Sequence, residues 1–433
     1  LVETHPDVVD SLAPFVDRVR DDDELYDRAA AKVIAAVGDT DHLDALIRAS
    51  EFDPEFVEAL VADASDGERR RAVEELRALA TDDDPETRIR AVSAIHEAFF
   101  DDVDDPAAVF LDRLDDEGST GYETVRGAAA DGLQRVAADD PERLLDETDR
   151  LFEVAAAATT ADDRPPTALV DVLAELAETD RDVYARAVDD LWASDEATQY
   201  VAASVLAEVA TAYPPTLDDP VSRLLDLHDD DDREIAVGGA VRRALGGLAY
   251  VRPEAVEPAA DRAVEWYREA GDTSGGHRRL VADLASAYPE VTTDLLEALA
   301  ADYVDTYSGD FRLDDPDLAI ALGHAARSGP ERVREGIEPL FDRDPDDRPS
   351  SLPLVLIGLG DHESVPDGFV GEDGWLEDRL VDNDTERQQL RLVNLLDATA
   401  YQPARPLLEA VADGAAASDL VAGAASDALD RSS

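Results

Sequence analysis

Small apolar residues recur along this chain in blocks that share one frame. The clearest block, Val125 to Leu133, reads Val-Arg-Gly-Ala-Ala-Ala-Asp-Gly-Leu, and Val421 to Leu429 reads Val-Ala-Gly-Ala-Ala-Ser-Asp-Ala-Leu. The same frame fits Tyr26 to Ile34, Thr87 to Ile95, Thr198 to Leu206, Val237 to Leu245 and Gly276 to Leu284, and looser copies end at Leu173, Leu322, Leu356 and Leu395. From Ile95 to Leu429 the copies end 33 to 40 residues apart. Apolar residues at i, i+4 and i+8 put one stripe on one face of a helix, and Ala or Gly between them lets neighbouring backbones approach. Pro, Gly or Asp runs break every interval, so each period predicts two helices of about 12 to 18 residues joined by short turns. Asp and Pro before a copy, as in Asp82-Asp83-Asp84-Pro85 and at Asp229 to Asp232, read as helix stops and caps.

The N-terminal part is less regular over residues 1–80. Leu76 and Ile95 both end good copies but lie too close together for two full repeats, so Gly67 to Ala80 is read as the first helix of a pair and Pro85 to Phe100 as its second. Pro54 to Ala62 then belongs to the preceding pair. The stretch 358–374 is the loosest and is read as a long loop or a bend. No Gly/Ser-rich linker divides the chain, which gives one array over residues 1–433 of about eleven helical pairs with capping end repeats.

The block Asp-x-x-x-Val-Arg-x-x-Ala-x-x-x-Leu, best matched by Asp115 to Leu133 and Pro85 to Ile95, resembles the second-helix signature of HEAT repeats of the short, Ala-rich type. The resemblance covers nearly the whole chain, although several copies lack the Arg. It implies an all-α fold, a right-handed α-α superhelix or HEAT-like solenoid, and is nearly silent on function.

Composition sharpens this picture. Aromatics are 6% of 433 residues and the apolar 44% is mostly Ala, Leu and Val, a core for close-packed helices rather than a β-sandwich. Asp and Glu number 102 against 39 Lys and Arg, a net charge of -63 spread over the whole length. Such a carboxylate surface resembles that of proteins from halophilic archaea, where acids hold water and cations in molar salt. We read the charge as habitat and not as mechanism. Cysteine is absent, so disulfides, thiolate nucleophiles and Cys-based zinc sites are excluded. No secretory signal and no membrane-length apolar run is visible, which makes cytoplasm the expected compartment. Methionine is also absent, so the chain is read as a processed form, a fragment or a frame with an unusual start.

Candidate chemistry is sparse. Deoxyhypusine hydroxylases, built from similar repeats, hold a di-iron centre through His-Glu pairs. Only His96-Glu97 and His362-Glu363 occur here, where four such pairs are expected, so we read no metal site and no catalytic residue. HEAT-like DNA glycosylases bind DNA on a basic face. The matching footprint is Arg69-Arg70-Arg71, Arg242-Arg243 and Arg278-Arg279 with Trp192 and Trp266, set against an overwhelming excess of acid. Acidic runs such as Asp21 to Asp23 lack the spacing of a calcium loop. Gly238-Gly239 and Gly246-Gly247 read as helix-packing glycines and not as a phosphate cradle.

The sequence therefore predicts a non-catalytic scaffold or adaptor, without cofactor, that binds another protein or peptide on the concave face of the solenoid, lined by its second helices. Nucleic acid is the alternative partner and a membrane is not one; oligomeric state is left open. At about 1 M salt, charges are screened beyond about 3 Å, so recognition rests on shape, apolar anchors and close hydrogen bonds. Arg242, Arg243, Trp266 and Tyr267 are the nominated binding residues.

Overall fold

A computed structural model describes residues 43–431 apart from 49–52, 63, 121–122, 161–163, 212–219, 231–234, 236, 271–274, 308–314, 345–346, 371–373, 383–384 and 416–417. The block Tyr26 to Ile34 and the run Asp21 to Asp23 lie outside the described residues. The chain forms two compact units, Leu1–Val201 and Ala202–Ser433, and the division falls inside a helix rather than in a linker.

The first unit holds α1 (Leu43–Ile47), α2 (Pro54–Val61), α3 (Asp66–Leu79), α4 (Pro85–Ala98), α5 (Pro106–Leu111), α6 (Val125–Asp139), α7 (Thr148–Ala157), α8 (Thr167–Thr179), α9 (Arg181–Asp190) and the start of α10 (Glu196–Val209). The second holds the rest of α10, then α11 (Val221–Asp229), α12 (Gly238–Val251), α13 (Glu257–Ala270), α14 (Gly275–Leu284), α15 (Pro289–Asp294), α16 (Leu296–Thr306), α17 (Pro316–Ser328), α18 (Pro330–Gly336), α19 (Glu338–Phe341), α20 (Leu352–Gly358), α21 (Trp375–Glu377), α22 (Glu386–Thr399), α23 (Arg405–Ala410) and α24 (Asp419–Arg431). Among the described residues the only strands are two-residue β1 (Ser119–Thr120) and β2 (Glu123–Thr124), an antiparallel hairpin that the sequence did not predict.

Starts and stops follow from local chemistry. In the pairs Asp53-Pro54, Asp84-Pro85, Asp105-Pro106 and Asp315-Pro316, the Asp carboxylate accepts from a first-turn amide and the Pro sits where its missing N–H costs nothing. Ser65 with Glu68 and Thr385 with Gln388 form capping boxes. Every repeat end from Ile95 to Leu429 falls inside a helix, and the predicted helices at 54–62, 67–80 and 85–100 match α2, α3 and α4 to within two residues at each end. Within the stretch 358–374 the described residues form one-turn segments, His362–Ser364 and Asp367–Phe369, with Phe369 stacked on Trp375 at 5.3 Å.

Second helices pack on one another in order: α2, α4, α6 and α8 in the first unit, and α12, α14, α17, α20, α22 and α24 in the second. First helices cover their outer side, α5 against α6, α13 against α14 and α16 against α17. The frame explains the contacts. Ala129, Leu133, Leu173, Ala202, Leu245 and Ala425 have no exposed surface, each buried leucine being worth about 1.5–3 kcal/mol. Glycine is obligatory at the closest approach, because a Cβ on Gly358 of α20 would overlap the backbone of Gly323 in α17.

Neighbouring repeats are also strapped together by bonds that span one period of sequence. Arg48 reaches Asp82 at 2.7 Å, Arg69 reaches Asp102 at 2.5 Å, Arg150 reaches Asp115 at 2.8 Å and Arg278 reaches Asp315 at 3.0 Å. Other arginines cap the carbonyl ends of the preceding repeat, as Arg135 does at His96 and Arg113 at Ala80. The exposed straps, such as Arg150–Asp115, contribute about 0–1 kcal/mol each and act mainly to fix register.

Candidate functional site

The four nominated residues occupy α12 and α13 of the second unit. Trp266 and Tyr267 are buried, each 5% exposed, because both serve the stack itself. The Trp266 indole donates to Asp229 at 2.9 Å, and the Tyr267 hydroxyl donates to Asp302 at 2.5 Å. Burial, with the Asp302 bond added, pushes the Tyr267 phenol far above its usual range. Asp229 ends α11 and also receives Arg262, so this member of the acidic run holds α13 in place. Arg243 is exposed and faces Glu208 at 3.7 Å. Arg242 is half-buried, and its Nη1 lies 2.8 Å from Nε2 of His228.

The face that the second helices of this unit would present is taken up by the unit itself. Helix α22 packs not only on its neighbour α20 but also across α17 and α14. Its Arg391, 5% exposed, bonds Asp283 of α14 through Nε at 2.5 Å and through Nη2 at 3.2 Å, and its Nη1 reaches Asp317 of α17. Asp283 also accepts from the Tyr250 hydroxyl of α12 at 2.8 Å. Gly246 makes this possible, since a Cβ there would overlap the Asp283 carboxylate. Arg387 of the same helix donates to the carbonyls of Ala207 and Arg243. Burial raises the Asp317 carboxyl above its usual range against the pull of Arg391. Burial tends to lower Arg391, but the two carboxylates outweigh it and hold the guanidinium charged. This array is a brace.

The first unit, in contrast, carries an open groove of about 1020 Å³. Its walls are α4, the hairpin β1–β2 and α6, with Arg164 at the far side. Five carboxylates and three arginines line it. Two of the arginines are already engaged: Arg90 with Glu86, and Arg126 with the Leu114 carbonyl at 2.9 Å. Arg164 lies 4.9 Å over the Tyr200 ring and donates to the Thr160 carbonyl. Asp131, the acid inside the repeat frame, stays open to solvent on the groove floor, yet the enclosing walls push its carboxyl above the usual range, with Glu97 adding to the effect. In the sequence Asp131 stands only as a member of the repeat frame; the available signal was an acid two residues before the closing leucine of the best copy.

His96 lies in α4 with Nδ1 3.3 Å from Glu97, and His362 meets the edge of Tyr401 with ring centres 4.9 Å apart. No group of three metal-ligating side chains occurs among the described residues. In the arginine footprint, Arg69, Arg278 and Arg279 pair with Asp102, Asp315 and Asp317, so that much of its charge is spent within the fold. Trp192 is 52% exposed. No described helix is long and apolar enough to cross a membrane.

The fold is all-α, a superhelix of the HEAT-like solenoid class. No protein-family profile matches the sequence, and no curated protein matches it. Solved structures do. Yeast importin-beta (Kap95p) superposes with a TM-score of 0.54 at 12% identity, over 100% of this chain and 62% of that one. A Kap95:Nup1 complex gives 0.54 at 12% identity over 98% of this chain, and importin beta crystallised in an ammonium sulfate condition gives 0.52 at 12% identity over 98%. The chain spans 62% of the length of each of these importin-beta chains. At this identity the likeness concerns the fold alone.

Proposed function

We propose that the protein is a non-catalytic scaffold of a high-salt cytoplasm, and that its partner is a segment of another protein lying in the groove of the first unit. One observation carries the reading. The second helices are plugged by α22 in one unit but stand open beside α4 and α6 in the other. A trough of about 1020 Å³ suits a peptide or a helix better than a small metabolite, and its walls are polar and hydrogen-bonding. Carboxylates outnumber arginines in it, which favours a segment rich in cationic or donor side chains. The Kap95:Nup1 complex, of similar fold, supports a protein as the class of partner. The net charge of -63 supports the high-salt setting, where screening leaves only such close contacts effective.

The test is affinity capture from the native host in high salt, with the wild-type chain and with a Glu117→Arg/Glu123→Arg variant. One protein retained by the first and lost from the second supports the groove. Recovery of nucleic acid that the double variant binds more strongly overturns the reading.

A further inference from the structure

Around Arg242 the second unit gathers groups that the scaffold reading does not use. Four helices contribute: His228 from α11, Arg242 from α12, Trp266 from α13 and His277 from α14. The His228 ring stacks on Trp266 with centres 3.7 Å apart and meets the edge of His277 at 6.1 Å. Arg242 Nη1 is bonded to His228 Nε2 at 2.8 Å, so Nε2 is the acceptor and the imidazole is neutral. Its Nε is fully enclosed and has no hydrogen-bond partner. A Cβ on Gly276 would stand 3.1 Å from that Nε and 3.3 Å from Nη2, so the guanidinium lies close against the first turn of α14.

Among the described residues no carboxylate is bonded to Arg242. Both Asp229 oxygens are taken, one by the Trp266 indole and one by Arg262. The half-buried Arg69, Arg88 and Arg278, in contrast, each hold an Asp. Enclosure without a counter-ion pulls the Arg242 guanidinium below its ordinary value. Burial first and the Arg242 charge second lower His228 and His277 to about 4. A planar fork of donors, fixed by two backbones and a ring and left uncompensated, is the usual form of an oxyanion receptor.

We propose that Arg242, with His228 and His277, forms a binding site for an oxyanion of the phosphate class, either free phosphate or a phosphoryl group. The outer N–H groups of Arg242 pair with two oxygens, and His277 supplies a further donor when it takes up a proton. Donors converging from two helices, Arg242 on α12 and His277 on α14, suit a tetrahedral anion better than a planar carboxylate. The bound anion offsets the Arg242 charge and so raises the histidine pKa values, and by linkage protonation tightens anion binding as pH falls.

The experiment titrates the full chain with inorganic phosphate in potassium chloride at constant ionic strength, following the imidazole proton resonances. Saturable shifts of His228 and His277 are expected. Binding should weaken at least tenfold in Arg242→Gln and stay unchanged in Arg268→Gln, an exposed arginine on α13. His277→Gln, a milder change, should bind more weakly and with a shallower pH dependence, which keeps the idea testable should Arg242→Gln fold poorly. Phosphate shifts no larger than those from chloride, equal binding by Arg242→Gln, or acetate acting as strongly as phosphate would each overturn it.

Discussion

Arg391 and Asp283 stand 108 residues apart in the chain and meet at 2.5 Å with almost no exposed surface on either side chain. Together with Asp317 and Tyr250 they join α12, α14, α17 and α22 at one point. Removing one member of a buried ionic set leaves the other charges uncompensated, at a cost of about 3–5 kcal/mol. Arg391→Leu should lose that much in urea denaturation. Adding Asp283→Asn and Asp317→Asn to it should restore more than half, since neutral amides no longer demand a cation. An Arg391→Leu chain as stable as the wild type removes the brace from the account.

Glycines in this fold divide into two kinds with opposite responses to alanine. Gly358 has the Gly323 backbone where its Cβ would go, so Gly358→Ala must part α17 from α20 and should cost about 1–3 kcal/mol or more. Gly423, in the middle of α24, has nothing within 4 Å of that position, and Gly423→Ala should gain about 0.5–1 kcal/mol. Thermal melting of the two variants under one buffer decides the matter.

Acid should destabilise the second unit through its histidines. His228 and His277 are lowered to about 4, and His324, buried with both ring nitrogens unpaired, to about 3. The ordinary histidine value is 6.5, so between these limits the unfolded chain binds more protons than the folded one. Stability from these groups is fully present above pH 6.5 and is lost as pH falls through the folded values. Compared with wild type, phosphate-free His277→Gln should show a shallower fall between pH 6.5 and 5, the difference reaching at most about 1.4 kcal/mol per pH unit. Parallel urea midpoints for the two proteins contradict it.

Salt should act in the opposite sense from its effect on a protein held by surface ion pairs. With a net charge of -63, repulsion between carboxylates outweighs the straps, and 1 M salt shortens its reach from about 10 Å to about 3 Å. The melting temperature should therefore climb steadily from 0.1 to 2 M potassium chloride. A flat or falling curve separates the charge from any high-salt habitat.

What the sequence disclosed and what it hid follow from one distinction. Relations between adjacent repeats leave a period, and so Leu133, Leu245 and Leu395 mark helices, while Asp-Pro pairs mark their starts. The brace connects repeats that are not adjacent, and periodicity is blind to such contacts. A local sign of it does exist. Arg391 occupies the frame position that Ala129, Ala202, Val241 and Ala425 fill elsewhere, all without exposed surface. Asp283 stands where the other copies have Gly132, Ala244 and Ala428. A charge in a slot otherwise reserved for small apolar groups implies a buried partner, although not which one. Trp266 and Tyr267 show a related limit: aromatic rings with polar tips serve equally well between repeats, and only the positions of Asp229 and Asp302 reveal that use.

The brace also sets an order of events during synthesis. Arrays that touch only their neighbours can mature repeat by repeat as the chain emerges. Here α14 carries a carboxylate into the interior whose arginine is translated 108 residues later. At about 5–20 residues per second that is a wait of roughly 5–20 s, during which Asp283 lacks its arginine and the cover of α22. Its helices gain their final packing together, once α22 has left the ribosome, and not one after another.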